Sequence, residues 1–211
     1  MISDISSSFW TIGIDPGRRG AIAAMRSDHS EFRILKMPML EKAVDTVEIR
    51  QFLTGIIATG NVRHAILEKA QVMPSQGAIS GFTYGRNYGV LLTCLEFMGI
   101  PFTETSPSKW KLAIIGAAAA PSPTIKTSKT DSFPDLDVIA SKSVKASHKK
   151  VIKELAILTA RRMFPAAGPF TKTEDGPAEA ILMAEAARRL ILHGSMNGIG
   201  KQLISIHEVT V

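Results

Sequence analysis

The chain has 211 residues, a formal net charge of +6, 45% hydrophobic residues and a single cysteine, Cys94. That length suits one domain with its own core. The lone cysteine excludes an internal disulfide framework and any cysteine-rich zinc site, and the basic balance favours a polyanionic partner such as nucleic acid.

A single cysteine also suits a reducing compartment. The opening MISDISSSFW lacks the basic-then-apolar pattern of a secretory signal. No apolar run is long enough to span a bilayer. A cytoplasmic location without membrane attachment is therefore expected.

Phe9 to Ile14 is rich in β-formers and predicts a strand. Gly20 to Met25 predicts a second, joined to the first by a tight turn at Pro16–Gly17. Phe32 to Met37 alternates and completes an expected antiparallel meander. Asp45, with Glu48 three residues on, reads as a capping box. The following periodicity of Val47, Phe52, Leu53, Ile56 and Ile57 predicts a helix ended by Gly60. His64 to Leu67 is a short apolar strand, Ser80 to Met98 a helix, Pro101 to Thr105 a strand, and Trp110 to Ile115 a short helix. From 116 to 146 the composition turns to Pro, Ser, Thr and Lys, which predicts a mobile surface loop. Helices are expected over 148–163 and from Pro177 to His193, the latter bounded by Gly194. One domain over 9–194 with a tail over 195–211 follows. The interleaving of five strands with helices predicts an α/β fold with a mixed sheet.

Acids stand out against this pattern. Asp15 ends the first strand in TIGIDPG, and Glu68 ends the fourth in HAILEKAQ. If those strands are neighbours, both carboxylates emerge at one sheet edge, where open α/β sheets place their chemistry. Pairing with Lys69 is the plainer use of Glu68. In EDGPAEAILMAEAARRL, at about 100° per residue, Glu179 shares a face with Leu182, Met183, Ala186 and Leu190. Asp175 lies one turn earlier and also suits a helix N-cap. Glu185, Arg188 and Arg189 fall on the opposite, solvated side. Two acids on a packing face repel each other unless a cation lies between them. Asp15, Glu68, Asp175 and Glu179 form an oxygen-only donor set, as Mg²⁺ or Mn²⁺ requires. Two such ions, roughly 4 Å apart, serve phosphodiester cleavage.

Four stretches, IGIDPGRRGAIA, ILEKAQVMPSQGAISGFTYGRNYGVL, GIPFTETSPSKWK and DGPAEAILMAEAARR, occur in the order and spacing of RuvC-like Holliday junction resolvases. The chain resembles the branch of that family found in phages, bacteria and chloroplasts, from about Thr11 to Leu190. The resemblance implies an RNase H-like fold with a mixed five-stranded sheet flanked by helices. It also implies a homodimer and Mg²⁺-dependent paired nicking of four-way DNA junctions, with Mn²⁺ as substitute and two ions per site. Asp15, Glu68, Asp175 and Glu179 then match the catalytic, metal-binding carboxylates. The last two are four apart rather than the usual three, which makes Glu174 a rival to Asp175.

Further residues suit DNA. Gly77, Gly81, Gly85 and Gly89 recur every fourth position, either packed on the chain's own sheet or left open for DNA or a partner subunit. Gly77 and Gly81 also suit a loop. Phe82 and Arg86 lie among them, and exposed aromatics stack on unpaired bases. Gln76 suits a base edge. Lys109 and Lys111 flank Trp110 at a helix start, a ready phosphate site; Trp110 itself suits the core. Lys149, Lys150 and Lys153 form a basic cluster beside His148. A less selective flap or branched-DNA nuclease and a non-catalytic DNA-binding relative are the competing readings. An actin-like ATPase is disfavoured because the chain is short and lacks a second phosphate loop, so no nucleotide cofactor is expected.

Overall fold

The computed structural model describes residues 8–69, 77–116 and 134–196, with side chains of the long helix from His148 onward. Gln76, residues 117–133 of the expected loop, and the tail beyond 196 lie outside the described residues.

Strands β1 (Trp10–Asp15), β2 (Ala21–Arg26), β3 (Phe32–Lys36), β6 (Val62–Glu68) and β7 (Phe102–Thr105) form one sheet in the order β3-β2-β1-β6-β7. The meander β1–β2–β3 is antiparallel, and β1, β6 and β7 run parallel. This is the mixed five-stranded sheet flanked by helices expected above. A small hairpin, β4 (Met39–Leu40) with β5 (Ala43–Val44), follows the meander.

Period-2 alternation gives the sheet two buried faces. Trp10, Ile12, Ile14, Ala65, Leu67 and Phe102 point to the side covered by α1 (Thr46–Ile57) and α2 (Ala78–Phe97). Ile66, Ala21, Ala23 and Met25 point to the other side, under α5 (Asp175–His193), with α3 (Pro107–Ile115) and α4 (Pro134–Met163) beside it. Gly13 lies in contact with α5: a Cβ there would stand 2.1 Å from the Ala180 carbonyl oxygen. By the same alternation Asp15 and Glu68 belong to the α5 side.

Asp45 caps α1 as expected, accepting the Val47 and Glu48 N–H groups at 2.9 and 3.2 Å. The return half of the capping box is absent, because the Asp45 N–H donates to the Pro38 carbonyl instead. Helices begin earlier than expected: α2 at Ala78 with Gly77 as N-cap, α3 at Pro107, and α5 at Asp175.

Two expectations are corrected. Residues 134–146, assigned to the loop, are the first half of α4. Pro134 suits the first helical turn, and no Gly or Pro follows until Pro165, so nothing breaks the helix despite its polar composition. The second concerns Glu185, Arg188 and Arg189. Glu185 is buried at 2% exposure and accepts from both arginines, at 2.7 and 2.8 Å. Helix α5 is buried continuously from Gly176 to Ala187, because the sheet covers one side and α4 the other. A helix in that position has no single apolar stripe.

Candidate active site

Parallel pairing of β1 with β6 sets Ile14 opposite Leu67. The next residue of each strand is Asp15 and Glu68, so the two acids stand side by side at the C-terminal edge. Glycines bring α5 onto that edge. A Cβ on Gly176 would meet the Arg19 carbonyl oxygen at 2.1 Å and Gly20 Cα at 2.7 Å, so the start of α5 rests on the backbone of the β1–β2 turn. Asp175 precedes that contact, and Glu179 lies one turn inside the helix.

Each acid is held by a different neighbour. Asp15 accepts the Gly17 N–H at 2.9 Å. Glu68 accepts the Trp110 Nε1–H at 2.8 Å. Glu179, 6% exposed, accepts from Lys111 Nζ at 2.7 Å. Asp175 pairs with Lys153 and lies 3.9 Å from Arg19 Nη2. Glu174 turns away, to Lys36 Nζ at 2.8 Å and the Thr171 N–H at 2.9 Å. Those contacts push its carboxyl down to about 2. Of the two rivals, Asp175 is the one whose charge reaches Asp15.

The electrostatics are those of crowded, desolvated anions. Burial, then the charge of Glu179, pushes Asp15 up to about 6; the Gly17 N–H and Lys111 oppose the rise. Burial, then Glu179 and Asp15, pushes Glu68 up to about 7 against Lys111 and the Trp110 N–H. Burial and the charges of Glu68 and Asp15 push the Tyr84 hydroxyl up to about 12, so it remains a proton donor at neutral pH. Among the described residues, no group of three or more His, Cys, Asp or Glu side chains is arranged to hold a metal ion as it stands. The donor chemistry nevertheless fits a hard divalent cation: carboxylates only, largely withdrawn from water, with neighbouring negative charge raising the proton affinity of Asp15 and Glu68.

Two lysines expected on DNA belong to this site, Lys111 on Glu179 and Lys153 on Asp175. Lys109, Lys149, Lys150 and Arg86 are exposed, and Phe82 is 76% exposed. Tyr88 is buried and donates to Glu104. Three of the four glycines in the series do not pack on the chain's own sheet. Gly81 lies within α2, and added Cβ atoms at Gly77, Gly85 and Gly89 would meet nothing within 4 Å.

Trp110 and Tyr84 are the site residues that pattern reading missed in that role. Trp110 is both core and site, because its ring is fully buried while its one polar atom reaches Glu68. Its place one residue before Lys111 was the available signal.

No family model matches the chain, and no curated protein matches it. Among solved structures the chain is similar to T. thermophilus RuvC in complex with a Holliday junction substrate, at 13% identity and a TM-score of 0.46, over 89% of this chain and 98% of that one. It is likewise similar to a second Thermus thermophilus RuvC structure, at 14% identity and a TM-score of 0.47, over the same shares of the two chains.

Proposed function

We propose that this chain is a divalent-metal-dependent endonuclease of RNase H-like type that resolves four-way DNA junctions by paired nicking as a homodimer. The observation that carries the proposal is the meeting of Asp15 and Glu68 at neighbouring parallel strand ends under Glu179, with too little positive charge to neutralise them. A cluster that raises its own proton affinity gains most from a divalent cation. The strand order, with an antiparallel meander leading into a parallel pair, supports the RNase H-like reading. The four motifs in series support the junction substrate.

Asp15, Glu68, Asp175 and Glu179 would hold Mg²⁺ or Mn²⁺. When bound, the metal supplies an activated water and charge stabilisation at the leaving oxygen. The chain's own residues prepare the site. The Gly17 N–H orients Asp15, and the Trp110 N–H orients Glu68. Lys111 holds Glu179 inside the site. Burial keeps bulk water from screening these charges. The net charge of +6 suits the DNA backbone. The exposed α2 face, with Ile79 and Phe82 outward, supports a partner subunit there. A two-fold dimer would present two identical sites to two strands. Among the described residues no helix is long and apolar enough to cross a membrane.

The test is cleavage of a synthetic mobile four-way junction in Mg²⁺ and in Mn²⁺. Duplex, flap and single-strand controls and Asp15→Asn run beside it. Paired nicks on the junction alone, absent in the variant, are expected. Cutting of every branched form would keep the site and replace the junction assignment. Tight binding without cutting would leave a DNA-binding protein.

A further inference from the structure

Beside the acidic site lies a cavity of about 520 Å³. Arg18, Arg19, Lys36, Thr171, Thr173 and Glu174 line it. Three of these are cations and one is a carboxylate, the reverse of the balance next door. The two regions touch at Arg19. Arg19 Nη2 donates to the Thr173 carbonyl at 3.2 Å and lies 3.9 Å from Asp175. The cavity therefore begins where the candidate active site ends. Its cations come from elements already placed by the fold: the turn that follows Asp15, and the end of β3, where Lys36 pairs with Ala21 across the sheet.

We propose that this cavity is a phosphodiester-binding subsite, taking a backbone phosphate of the DNA strand next to the one positioned at Asp15 and Glu68. The inference rests on the nuclease reading of that site and adds how the strand is held. Arginine and lysine supply charge, and arginine also supplies the paired N–H geometry that phosphate oxygens accept. The Thr171 and Thr173 hydroxyls, 3.2 Å apart, add neutral donors. Without DNA, Lys36 is occupied by Glu174 at 2.8 Å. Both side chains are polar and Lys36 is largely exposed, so the pair can open. A phosphate entering the cavity exchanges Glu174 for itself as the partner of Lys36. Glu174 thus competes with the ligand and sets a penalty on loose binding.

The experiment measures binding of the full chain to a fluorescent four-way junction in EDTA, across a salt series, for wild type, Arg19→Ala, Lys36→Ala and Glu174→Gln. Each lost phosphate contact lowers the slope of log affinity against log salt by about one, and weakens binding roughly tenfold at moderate salt. Arg19→Ala and Lys36→Ala are expected to do both. Glu174→Gln is expected to bind several-fold tighter, a gain that misfolding cannot imitate. Slopes unchanged from wild type in both alanine variants, with no gain in Glu174→Gln, would overturn the subsite. If the wild type still nicks the junction in Mg²⁺, the nuclease reading survives that result. A wild type that neither binds nor cuts DNA would remove both.

Discussion

Lys111 Nζ stands 2.7 Å from Glu179 Oε1, with both side chains largely withdrawn from water. The ammonium also reaches Asp15 and Glu68 electrostatically and lowers the proton affinity of both. One cation thus serves three crowded acids.

Lys111→Met leaves Glu179 buried and unpaired, which costs about 3–5 kcal/mol and lowers Tm by roughly 10 °C. Without the ammonium, Asp15 and Glu68 shift further up, so the acid limb of the nicking rate moves to higher pH. The double variant Lys111→Met with Glu179→Leu is expected to recover most of the stability and none of the activity. Thermal melts beside a pH–rate profile check both halves.

Asp15 and Glu68 set a pH-dependent cost on the metal-free fold. Their folded values, about 6 and about 7, exceed the ordinary 3.8 and 4.5. The folded state therefore binds more protons than the unfolded chain between about pH 4 and 7, and stability falls as pH rises through that window. Asp15→Asn removes one such charge. It is expected to melt several degrees above wild type at pH 8 and level with it near pH 4. Excess Mg²⁺ should narrow the gap at pH 8 by stabilising only the wild type. Equal melting at every pH would contradict the burial of a charged Asp15.

Trp110→Phe keeps the buried ring and removes the N–H that Glu68 accepts. A hydrogen bond to a charged group contributes roughly 1.5–3 kcal/mol. Stability should fall by about that amount at pH 8 and by less at pH 5, where Glu68 is protonated. Nicking should slow and its acid limb should move upward. A uniform loss at both pH values would mean the ring packing, not the Glu68 contact, had been disturbed.

Gly13→Ala tests the seat of α5. The new Cβ would lie 2.1 Å from the Ala180 carbonyl oxygen, 2.4 Å from the Ala184 nitrogen and 2.7 Å from Met183 Cβ. Helix backbone cannot yield as a side-chain tip does, so a loss above about 4 kcal/mol is expected, with activity lost because α5 carries Asp175 and Glu179. Gly85→Ala has open space at its Cβ and should instead raise helix stability by up to about 1 kcal/mol. Urea unfolding of the two variants compares them directly.

The sequence by itself determined the strands that end on Asp15 and Glu68, the cap at Asp45 and the inward face of Glu179. Each depends on a local signal: alternation, a capping side chain, or helical spacing. The mixed sheet was legible too, because strands separated by a helix tend to run parallel and those separated by a tight turn antiparallel. Only the tertiary structure decided what meets the acids. Trp110 lies 42 positions from Glu68, and Lys111 lies 68 positions from Glu179. Periodicity says which way a side chain points, and not which distant element stands opposite. For the same reason Glu185 read as solvated: its own helix shows a polar face there, and only His29 of the β2–β3 turn and the flanking arginines close over it. The early start of α4 at Pro134 was visible as an absence of breakers, but composition masked it. Burial is a property of assembled layers, and so are the shifted proton affinities on which the proposed chemistry depends.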